Sequence, residues 1–575
     1  MRADLQSQQA LKFLGVNLRA ERADLADEEC AKAINADFNS RLGSILCRPG
    51  KSKLFTSPLS DLNIRTIAKI NNYRYQVAGT SLYRAQAKIL AGTLSSTKKT
   101  SIVPFRPLND DSTWAFIADR ALMRKDDGTN TYQWGITAPT ATPSVGTTGT
   151  GLTGSYQVKF TYARIVGSSV AHESNPSPAS AVQALANQNL SVSGLTASSD
   201  AQVTHIRLYR TLASGTVYLF DQNIVNGTTT ATSSQADSAL GVAVETDNDP
   251  PPECNWGCIF NETMFLLGDP DFPHYLYFSK RLRPESVTEF IEIGNADDPL
   301  TVAVAISGVL GVWTRKTKYR VVGNSTSSYA PIEHLSRRGT PSPFACVATE
   351  YGIVFPSKDG IFSTNLMAGD NQIADDILPL FYGEAINDLD PIAWDYANNF
   401  CAVAYKDRYY FAYASGDNTE NDKIAVYSHD TKHWYFYDLP ASSFCVEEDL
   451  DKLTYGSTDG LVYVLEDADA TGDDGSNISM EVQTKDYFGA TPHIRKLFLF
   501  YRVDAYVPSG TLTAAFFVDG TLKRTATITG DRTKTLLRVP EECLGFQWRI
   551  KFAYTGTGRA AIYGAAALWA PLGVA

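Results

Sequence analysis

Apolar runs separated by short polar turns recur through the second half of this 575-residue chain. Residues 351–365 (YGIVFPSKDGIFSTN) and 453–466 (LTYGSTDGLVYVLE) each place an Asp-Gly pair between two apolar runs. Asp-Gly is favoured in a tight type I′ turn, because both central positions of that turn need a positive φ. The pattern therefore predicts β-hairpins with type I′ turns at Asp359-Gly360 and Asp459-Gly460.

The same hairpin rhythm continues without the Asp-Gly pair in four further segments: residues 262–279, 311–323, 407–416 and 424–439. Similar units spaced by roughly 40–50 residues are typical of propeller blades with four strands each, and not of helical solenoids. A strict alternation with Tyr156, Val158, Phe160 and Tyr162 on one face, after a Pro/Gly/Thr-rich linker, is typical of a β-sandwich strand.

These patterns predict an all-β chain: a β-propeller with an inserted fibronectin-like or immunoglobulin-like β-sandwich and a C-terminal β-sandwich. Residues 1–54 hold few large apolar side chains, so we expect this arm to be ordered by docking on a neighbouring copy of the chain or on a partner protein. The predicted parts are an N-terminal arm with a short helix at 27–34 (residues 1–54), the first blades (55–137), the inserted sandwich (138–250), the remaining blades (251–470) and the C-terminal sandwich (471–575).

Composition adds three expectations. The formal net charge of −11 argues against an outer surface made to grip nucleic acid. The sequence contains no stretch typical of a membrane anchor and opens without an apolar signal core, so we expect folding in the cytosol. The eight scattered cysteines are expected to be buried free thiols, and Cys254 and Cys258 lack a second ligand pair for zinc, so no cofactor or metal is predicted.

No complete catalytic motif is present, so the chain is not expected to be an enzyme. His429 and His433 have the spacing of a helical metal site but flank a predicted turn, where solvated histidines are the expectation. The two Ser-x-Asp-Gly turns partly match the Asp-box of sialidase propellers. A glycosidase would need paired carboxylates at a set separation, and the acids available include Asp375, Asp376, Glu384, Asp388, Asp390 and Asp395.

Residues 14–50 contain an Asn-x-Arg at Asn17, an acidic segment, an Asn-rich stretch at 35–39 and Arg48-Pro49-Gly50. Together with HESNPSP from His172 and THIRLYRT from Thr204, this order resembles the tail nozzle (tail tubular) proteins of short-tailed bacteriophages. The resemblance implies a structural virion protein, assembled in the host cytoplasm. It would form a six-fold ring below the portal and adaptor, anchor tail fibres or spikes, and hold and release viral DNA through a central channel.

A strongly basic bore would bind DNA along its length and stall it, so a channel of this kind is expected to be lined mainly by acids. The candidate lumen acids are Asp297, Asp298, Asp375, Asp376, Glu447, Glu448 and Asp449. Two other functions stay open: a propeller glycosidase or depolymerase acting on host surface polysaccharide, and a non-catalytic bacterial propeller that acts as a binding module.

Overall fold

The computed structural model describes residues 5–39, 41–306, 308–539 and 543–572. Strands dominate these residues, and the predicted all-β class is confirmed; the one α-helix in the described ranges is the single turn α1 (Leu378–Phe381). No helix in the described part of the chain is long and apolar enough to cross a membrane. The chain divides into two compact units. Unit 1 holds the chain up to Lys69, Gln76–Gly79 and everything from Arg338 onward, and unit 2 holds Ile70–Tyr75 and Thr80–Arg337.

The N-terminal arm consists of short strands that dock on other parts of the same chain. They are β1 (Gln6–Ala10), β2 (Gly15–Val16), β3 (Glu29–Ile34), β4 (Ala36–Asp37), β5 (Ile45–Cys47) and β6 (Gly50–Lys53). The helix predicted at 27–34 is wrong, because this segment forms β3. Strand β3 pairs in parallel with β2, while its other edge pairs antiparallel with residues 481–484. Backbone partners on both sides, with Cys30, Ala31 and Ala33 fully buried, outweigh the helix propensity of this Ala- and Lys-containing segment.

Two four-stranded antiparallel sheets follow the arm. Sheet I contains β7 (Ile64–Ile70), β8 (Tyr73–Ala78), β9 (Ser81–Arg84) and β10 (Ala87–Leu90); sheet II contains β11 (Ser101–Phe105), β12 (Trp114–Asp119), β13 (Leu122–Asp126) and β14 (Thr131–Gln133). In both sheets the strands pair in chain order, which short hairpin connections produce.

The segment between sheets II and III folds as two sheets that share one hydrophobic core. Its strands are β15 (Ser144–Tyr156), β16 (Val158–Val166), β17 (Ser169–Glu173), β18 (Gln183–Ser193), β19 (His205–Thr211), β20 (Tyr218–Val225) and β21 (Thr230–Ser233), followed by the 3₁₀ turn η1 (Asp237–Ala239). The three-stranded sheet has the order β15-β18-β21 and the four-stranded sheet the order β17-β16-β19-β20. Phe160 and Leu208 from one sheet and Leu190 from the other belong to this core. The immunoglobulin or fibronectin class of the insertion stays a prediction.

The series continues with four more sheets of four strands, III, IV, V and VII, and with a run of four strands, called sheet VI, that is part of a larger sheet. Sheet III contains β22 (Trp256–Phe260), β23 (Thr263–Leu267), β24 (Tyr275–Phe278) and β25 (Glu289–Glu292); sheet IV contains β26 (Leu300–Ile306), β27 (Val309–Thr314), β28 (Lys318–Val322) and β29 (Ala330–Glu333); sheet V contains β30 (Val347–Thr349), β31 (Gly352–Ser357), β32 (Gly360–Thr364) and β33 (Asn371–Gln372).

Sheet VI contains β34 (Cys401–Tyr405), β35 (Arg408–Tyr413), β36 (Lys423–Ser428) and β37 (Trp434–Tyr437), and sheet VII contains β38 (Ala441–Glu447), β39 (Lys452–Ser457) and β40 (Val462–Asp467). The fourth strand of sheet VII is β6 from the N-terminal arm. The 3₁₀ turns between these strands are η2 (Pro343–Ala345), η3 (Asp375–Ile377), η4 (Trp394–Asn399) and η5 (Glu448–Leu450).

Within each unit, sheets that follow one another in the chain also pack against one another, and in unit 1 the last sheet contacts the first. In unit 2, one apolar cluster joins sheets II and III and another joins sheets III and IV. In unit 1, Asn421 of sheet VI donates to the carbonyl of Ala441 in sheet VII, and Ser443 of sheet VII donates to the carbonyl of Ile64 in sheet I. Serial packing of four-stranded sheets is the arrangement found in propellers.

The C-terminal strands form one hydrogen-bonded sheet with most of the arm and with sheet VI. They are β41 (Ile478–Thr484), β42 (Lys496–Val518), β43 (Thr521–Arg538), β44 (Leu544–Gly545), β45 (Trp548–Gly556) and β46 (Ala561–Pro571). The first half of β42 pairs with β46 and its second half pairs with β45, with a register break at 507–511. Tyr501 in the first half of β42 stacks on Phe516 in the second half, with ring centroids 4.8 Å apart.

The predicted type I′ turns are wrong at both positions. In the first hairpin Ser357 pairs with Gly360, so the central residues are Lys358 and Asp359, and neither has a positive φ. In the second, Gly460 donates to the carbonyl of Ser457 and has a φ of +80°, so it follows the turn as a left-handed residue. The sequence pair does form the predicted geometry elsewhere, at Asp519-Gly520 between β42 and β43, where φ is +48° and +76°.

Candidate functional site

The seven candidate lumen acids lie in turns, at strand ends and in 3₁₀ segments, and most have their own partners. Asp298 accepts a hydrogen bond from the Thr314 hydroxyl, 2.6 Å away, beside the exposed Asp297. Asp375 pairs with Arg19 at 3.2 Å. Lys69 contacts both Glu447, at 3.4 Å, and Asp449, at 2.5 Å, while Glu448 is exposed in η5. Their exposure to a channel stays a prediction.

A buried network centred on Asp37 joins the arm to both sheet VI and the C-terminal strands. Asp37 has no exposed surface, and its carboxylate accepts from Arg408 at 3.0 Å and from Arg559 at 2.7 Å. Arg408 reaches Glu466 of sheet VII with its other amino group, at 2.6 Å, and the Tyr437 hydroxyl donates to the same Glu466 oxygen at 2.9 Å. One carboxylate of the arm therefore holds residues more than 370 and 520 positions away.

The Arg48-Pro49-Gly50 motif is a second tie between the arm and the later chain. Arg48 is almost fully buried and binds both carboxylate oxygens of Asp473, at 2.9 and 2.6 Å, while its Nε donates to Asn35. Gly50 starts β6, where a Cβ would lie 2.1 Å from the carbonyl oxygen of Gly472. Only glycine therefore fits this close approach of two backbones.

A third tie surrounds β2. The Asn17 side chain accepts from the Arg19 amide and donates to Glu29 Oε1 at 3.1 Å. His433, at the start of β37, places Nδ1 3.1 Å from Asp376 Oδ2. Glu29, Asp376 and His433 each offer one oxygen or nitrogen atom within 4.8 Å of the other two, and they are the one group of three such residues found among the described residues. These three could hold a metal ion.

The two turn histidines thus differ from the sequence-based expectation of solvated side chains. They do flank the turn between β36 and β37, but His429 stacks on the ring of Tyr351, with centroids 4.2 Å apart, and lies edge-on to Tyr427. His433 turns away to Asp376 instead. The HxxxH spacing did not predict the residues close to His433, because Glu29 and Asp376 come from remote parts of the chain.

Unit 2 contains a separate buried cluster between the insertion and its neighbours. Lys125 of β13 contacts Glu285 at 2.5 Å, and Arg164 of β16 contacts Glu285 at 3.5 Å and Asp110 at 2.7 Å. Although burial alone would raise the pKa of Glu285, Lys125, His172 and Arg164 lower it to about 2. Burial lowers the pKa of His172 to about 4, so this imidazole is neutral at pH 7.

A polar cavity of about 280 Å³ opens beside this cluster and is lined mainly by the insertion. The charged side chains around it are already paired: Arg207 with Glu173, and Arg283 with Glu245 at 2.9 Å. The cavity therefore presents neutralised ion pairs, which suit a small polar molecule and supply no activated nucleophile.

Two of the acids considered for a glycosidase form ion pairs with basic residues of the arm. Asp388 pairs with Lys32 of β3 at 3.2 Å, as Asp375 does with Arg19 of the arm. The eight cysteines are free thiols, six of them buried. Burial raises the pKa of the Cys47 and Cys258 thiols to about 12, which keeps them protonated and unreactive.

No family model and no curated protein matches the chain. Among solved structures it is similar to BamB from Moraxella catarrhalis, with a TM-score of 0.29 and 12% identity over 73% of this chain and 97% of that one. YCF48 bound to D1 peptide gives 0.27 and 8% over 73% and 97%. PorZ, from the type-IX secretion system of Porphyromonas gingivalis, gives 0.23 and 8% over 84% and 95%. None of these is named as a phage tail protein, and TM-scores this low leave the fold to be argued from the chain's own strand pairing.

Proposed function

We propose that this protein is a non-catalytic β-propeller protein that acts as a structural part of a larger assembly. The observation that carries the proposal is the buried network centred on Asp37, which locks the start of the chain to sheets VI and VII and to the C-terminal strands. Buried ionic groups are costly to assemble, and their best-supported use is to fix one arrangement of the parts they join. The largest buried charge clusters described here connect elements, and the free thiol beside them, Cys47, is kept protonated because burial raises its pKa to about 12.

The propeller itself is supported by the series of four-stranded sheets that pack in chain order within each unit. Strand β6 adds the arm to sheet VII, so that sheet is completed by the opposite end of the chain. A propeller whose last blade takes a strand from the chain start leaves fewer free sheet edges.

The more specific proposal is a tail nozzle of a short-tailed bacteriophage. It is supported by the residues that carry the resemblance, since Asn17, Asn35 and Arg48 are each engaged in the ties that hold the arm. Motif residues with such definite contacts are more informative than a match in composition. In this role the partners are further copies in a six-fold ring, the portal and adaptor, tail fibres or spikes, and the DNA that passes through a mainly acidic bore.

Electron microscopy and mass photometry of the purified full chain test the tail nozzle separately from the broader proposal of a propeller protein. A six-fold ring with a central channel, at micromolar chain concentration, is the result expected for a nozzle. A chain that stays monomeric even when mixed with phage portal and adaptor proteins would contradict the nozzle and favour a propeller binding module.

The non-catalytic part is tested on host surface polysaccharide, by measuring new reducing ends after prolonged incubation. No release above a heat-denatured sample is expected. Release by the wild-type chain that is lost in the Asp375→Asn/Asp388→Asn double variant would contradict the proposal and favour the depolymerase.

A further inference from the structure

We propose that Glu29, Asp376 and His433 form a binding site for a divalent transition-metal ion, with Zn²⁺ as the best-fitting ion. One ligand atom of each residue lies within 4.8 Å of the other two, and Asp376 Oδ2 and His433 Nδ1 are 3.1 Å apart. Two ligands of a tetrahedral zinc, at about 2.1 Å from the ion, are separated by about 3.4 Å. Small side-chain movements are therefore enough to bring the three atoms around one ion.

The donor set favours a transition metal over Mg²⁺ or Ca²⁺. An imidazole nitrogen suits Zn²⁺, whereas sites for the hard cations consist of oxygen ligands alone. Two carboxylates balance the charge of the divalent ion. All three side chains are partly exposed, so an ion can enter from solvent and a water can fill the fourth position.

The backbone holds the three residues in place before any ion binds. Strand β2 lies between β3 and β37, with Gly15 paired to Glu29 and Val16 paired to Trp434. A Cβ at Gly15 would lie 2.4 Å from His433 Cβ, so glycine is what allows the histidine to lie against the arm. The Leu18 amide donates to the Asp376 carbonyl at 2.6 Å, which fixes the third ligand on the same strand edge.

A second set of contacts orients the Glu29 carboxylate. Asn17 Nδ2 donates to Oε1 at 3.1 Å, and the Ala26 amide donates to Oε2 at 2.8 Å. Each carboxylate oxygen keeps a further lone pair for a metal, and outer contacts of this kind are typical of ligands at metal sites. Asn17 is thus a positioning residue for Glu29.

The consequence of binding is a clasp between the arm, the η3 segment that follows sheet V, and the β36–β37 hairpin. An ion that binds the folded chain and not the unfolded chain stabilises the fold by mass action. The site is independent of the proposed structural role, since it requires only unit 1 of one chain.

The test uses the full chain after treatment with a chelator and removal of that chelator. Zn²⁺ is titrated by calorimetry, and Mn²⁺, Mg²⁺ and Ca²⁺ serve as comparison ions. Thermal unfolding is then recorded without Zn²⁺ and with Zn²⁺ at about 100 times its measured dissociation constant. We expect one Zn²⁺ per chain, weaker or absent binding of Mg²⁺ and Ca²⁺, and a rise of about 3 °C or more in the unfolding temperature. Binding of Mg²⁺ or Ca²⁺ in preference to Zn²⁺, or no Zn²⁺ binding, would overturn the proposal.

The variants His433→Ala, Asp376→Asn and Glu29→Gln should each lower Zn²⁺ affinity at least tenfold. His429→Asn and Asp375→Asn are the matched controls, because they change the same hairpin and the same 3₁₀ turn without touching the three ligands, and they should leave the affinity within twofold. Circular dichroism confirms that each variant is folded before titration. Equal loss in the controls, or wild-type affinity in folded His433→Ala, would show that the ion binds elsewhere.

Discussion

Replacing Asp37 with asparagine removes the charge at the centre of the network that ties the arm to the later chain. Asp37 is fully buried and accepts from Arg408 at 3.0 Å, from Arg559 at 2.7 Å and from the Asn39 amide at 2.9 Å. Asparagine has nearly the same shape, so the change tests the charge and not the packing. Arg408 donates to Oδ1 and Arg559 to Oδ2, so an asparagine keeps one acceptor oxygen and places its NH2 hydrogens toward one of the two arginines.

The expected loss follows from the exposure of each partner. Removing one member of a buried ion pair costs about 3–5 kcal/mol, because the remaining charge is left without compensation. Arg408 is 12% exposed and keeps Glu466, whereas Arg559 is 37% exposed and can be solvated, so its share is small. We therefore expect about 3 kcal/mol, at the lower end of that range, and a fall of about 5 °C in the unfolding transition of unit 1.

Differential scanning calorimetry of the full chain measures this prediction, since a chain with two units need not unfold in one step. The control is Asp375→Asn, which breaks an exposed pair with Arg19 in the same unit and should cost less than about 1 kcal/mol. Hydrogen exchange at residues 29–37 supplies a second readout and should increase in Asp37→Asn only. Unfolding of Asp37→Asn within 1 °C of the wild type (about the limit set by the control) would refute the idea that the network stabilises the fold.

Three further predictions concern other parts of the chain. The pKa of His172 falls from 6.5 to about 4 on folding. As the pH falls from about 7 to about 5, His172 therefore takes up a proton in the unfolded chain and not in the folded one, so the free energy of unfolding should drop by about 2 kcal/mol. His172→Gln should lose most of this pH dependence in thermal melts. Gly50→Ala should lower the free energy of unfolding by more than about 2 kcal/mol, since the new Cβ would meet the Gly472 carbonyl oxygen at 2.1 Å. Gly92→Ala is the control, because a Cβ there has open space around it, and its positive φ should cost about 1 kcal/mol. Excising residues 138–250 should lower the unfolding temperature of unit 2, because Arg164 would no longer cover the Lys125–Glu285 pair. An unchanged melting profile would contradict this prediction.

The hairpin rhythm was predictable because a hairpin is a local structure. Alternating apolar runs and turn residues lie within about 15 positions of one another, so a sequence window contains both strands and the connection. Even there the turn type was wrong at Asp359-Gly360, because strand register decided which residues became central. The rhythm therefore predicted the antiparallel hairpins better than the geometry of their turns.

The arm was mispredicted because its partners are remote. Residues 29–34 contain alanine, glutamate and lysine, which favour a helix in isolation, yet their pairing partner β41 lies about 450 positions later. No local pattern records such a pairing. The resemblance identified Asn17, Asn35 and Arg48 as meaningful, but it gave no information on the residues they contact.

The same limit applies to the candidate site. Glu29, Asp376 and His433 come from a strand of the arm, a 3₁₀ turn and a hairpin, so their meeting is a result of tertiary structure alone. His433 was assessed from the sequence as a metal ligand by its spacing from His429. That spacing places two ligands together only on a helix, whereas both histidines flank a turn between two strands. The cysteines needed less tertiary information, since their scattered positions in apolar runs predicted free, buried thiols, and six of the eight are buried.

The way the arm is held also bears on what the protein can do. Strand β6 completes sheet VII, β3 pairs with β41, and Asp37 contacts side chains of both sheet VI and the C-terminal strands. Closing loops this long costs conformational entropy, a cost that grows slowly with the separation, and folding has to meet it before the contacts stabilise the chain. A chain that depends on them forms a fixed body in which the first and last segments support one another. Local opening of the arm would have to break ion pairs, backbone pairing and the Arg48–Asp473 contact together, which opposes the mobile lids that many enzymes use. This construction supports the proposed structural role, in which the first and last segments of the chain have to keep one arrangement.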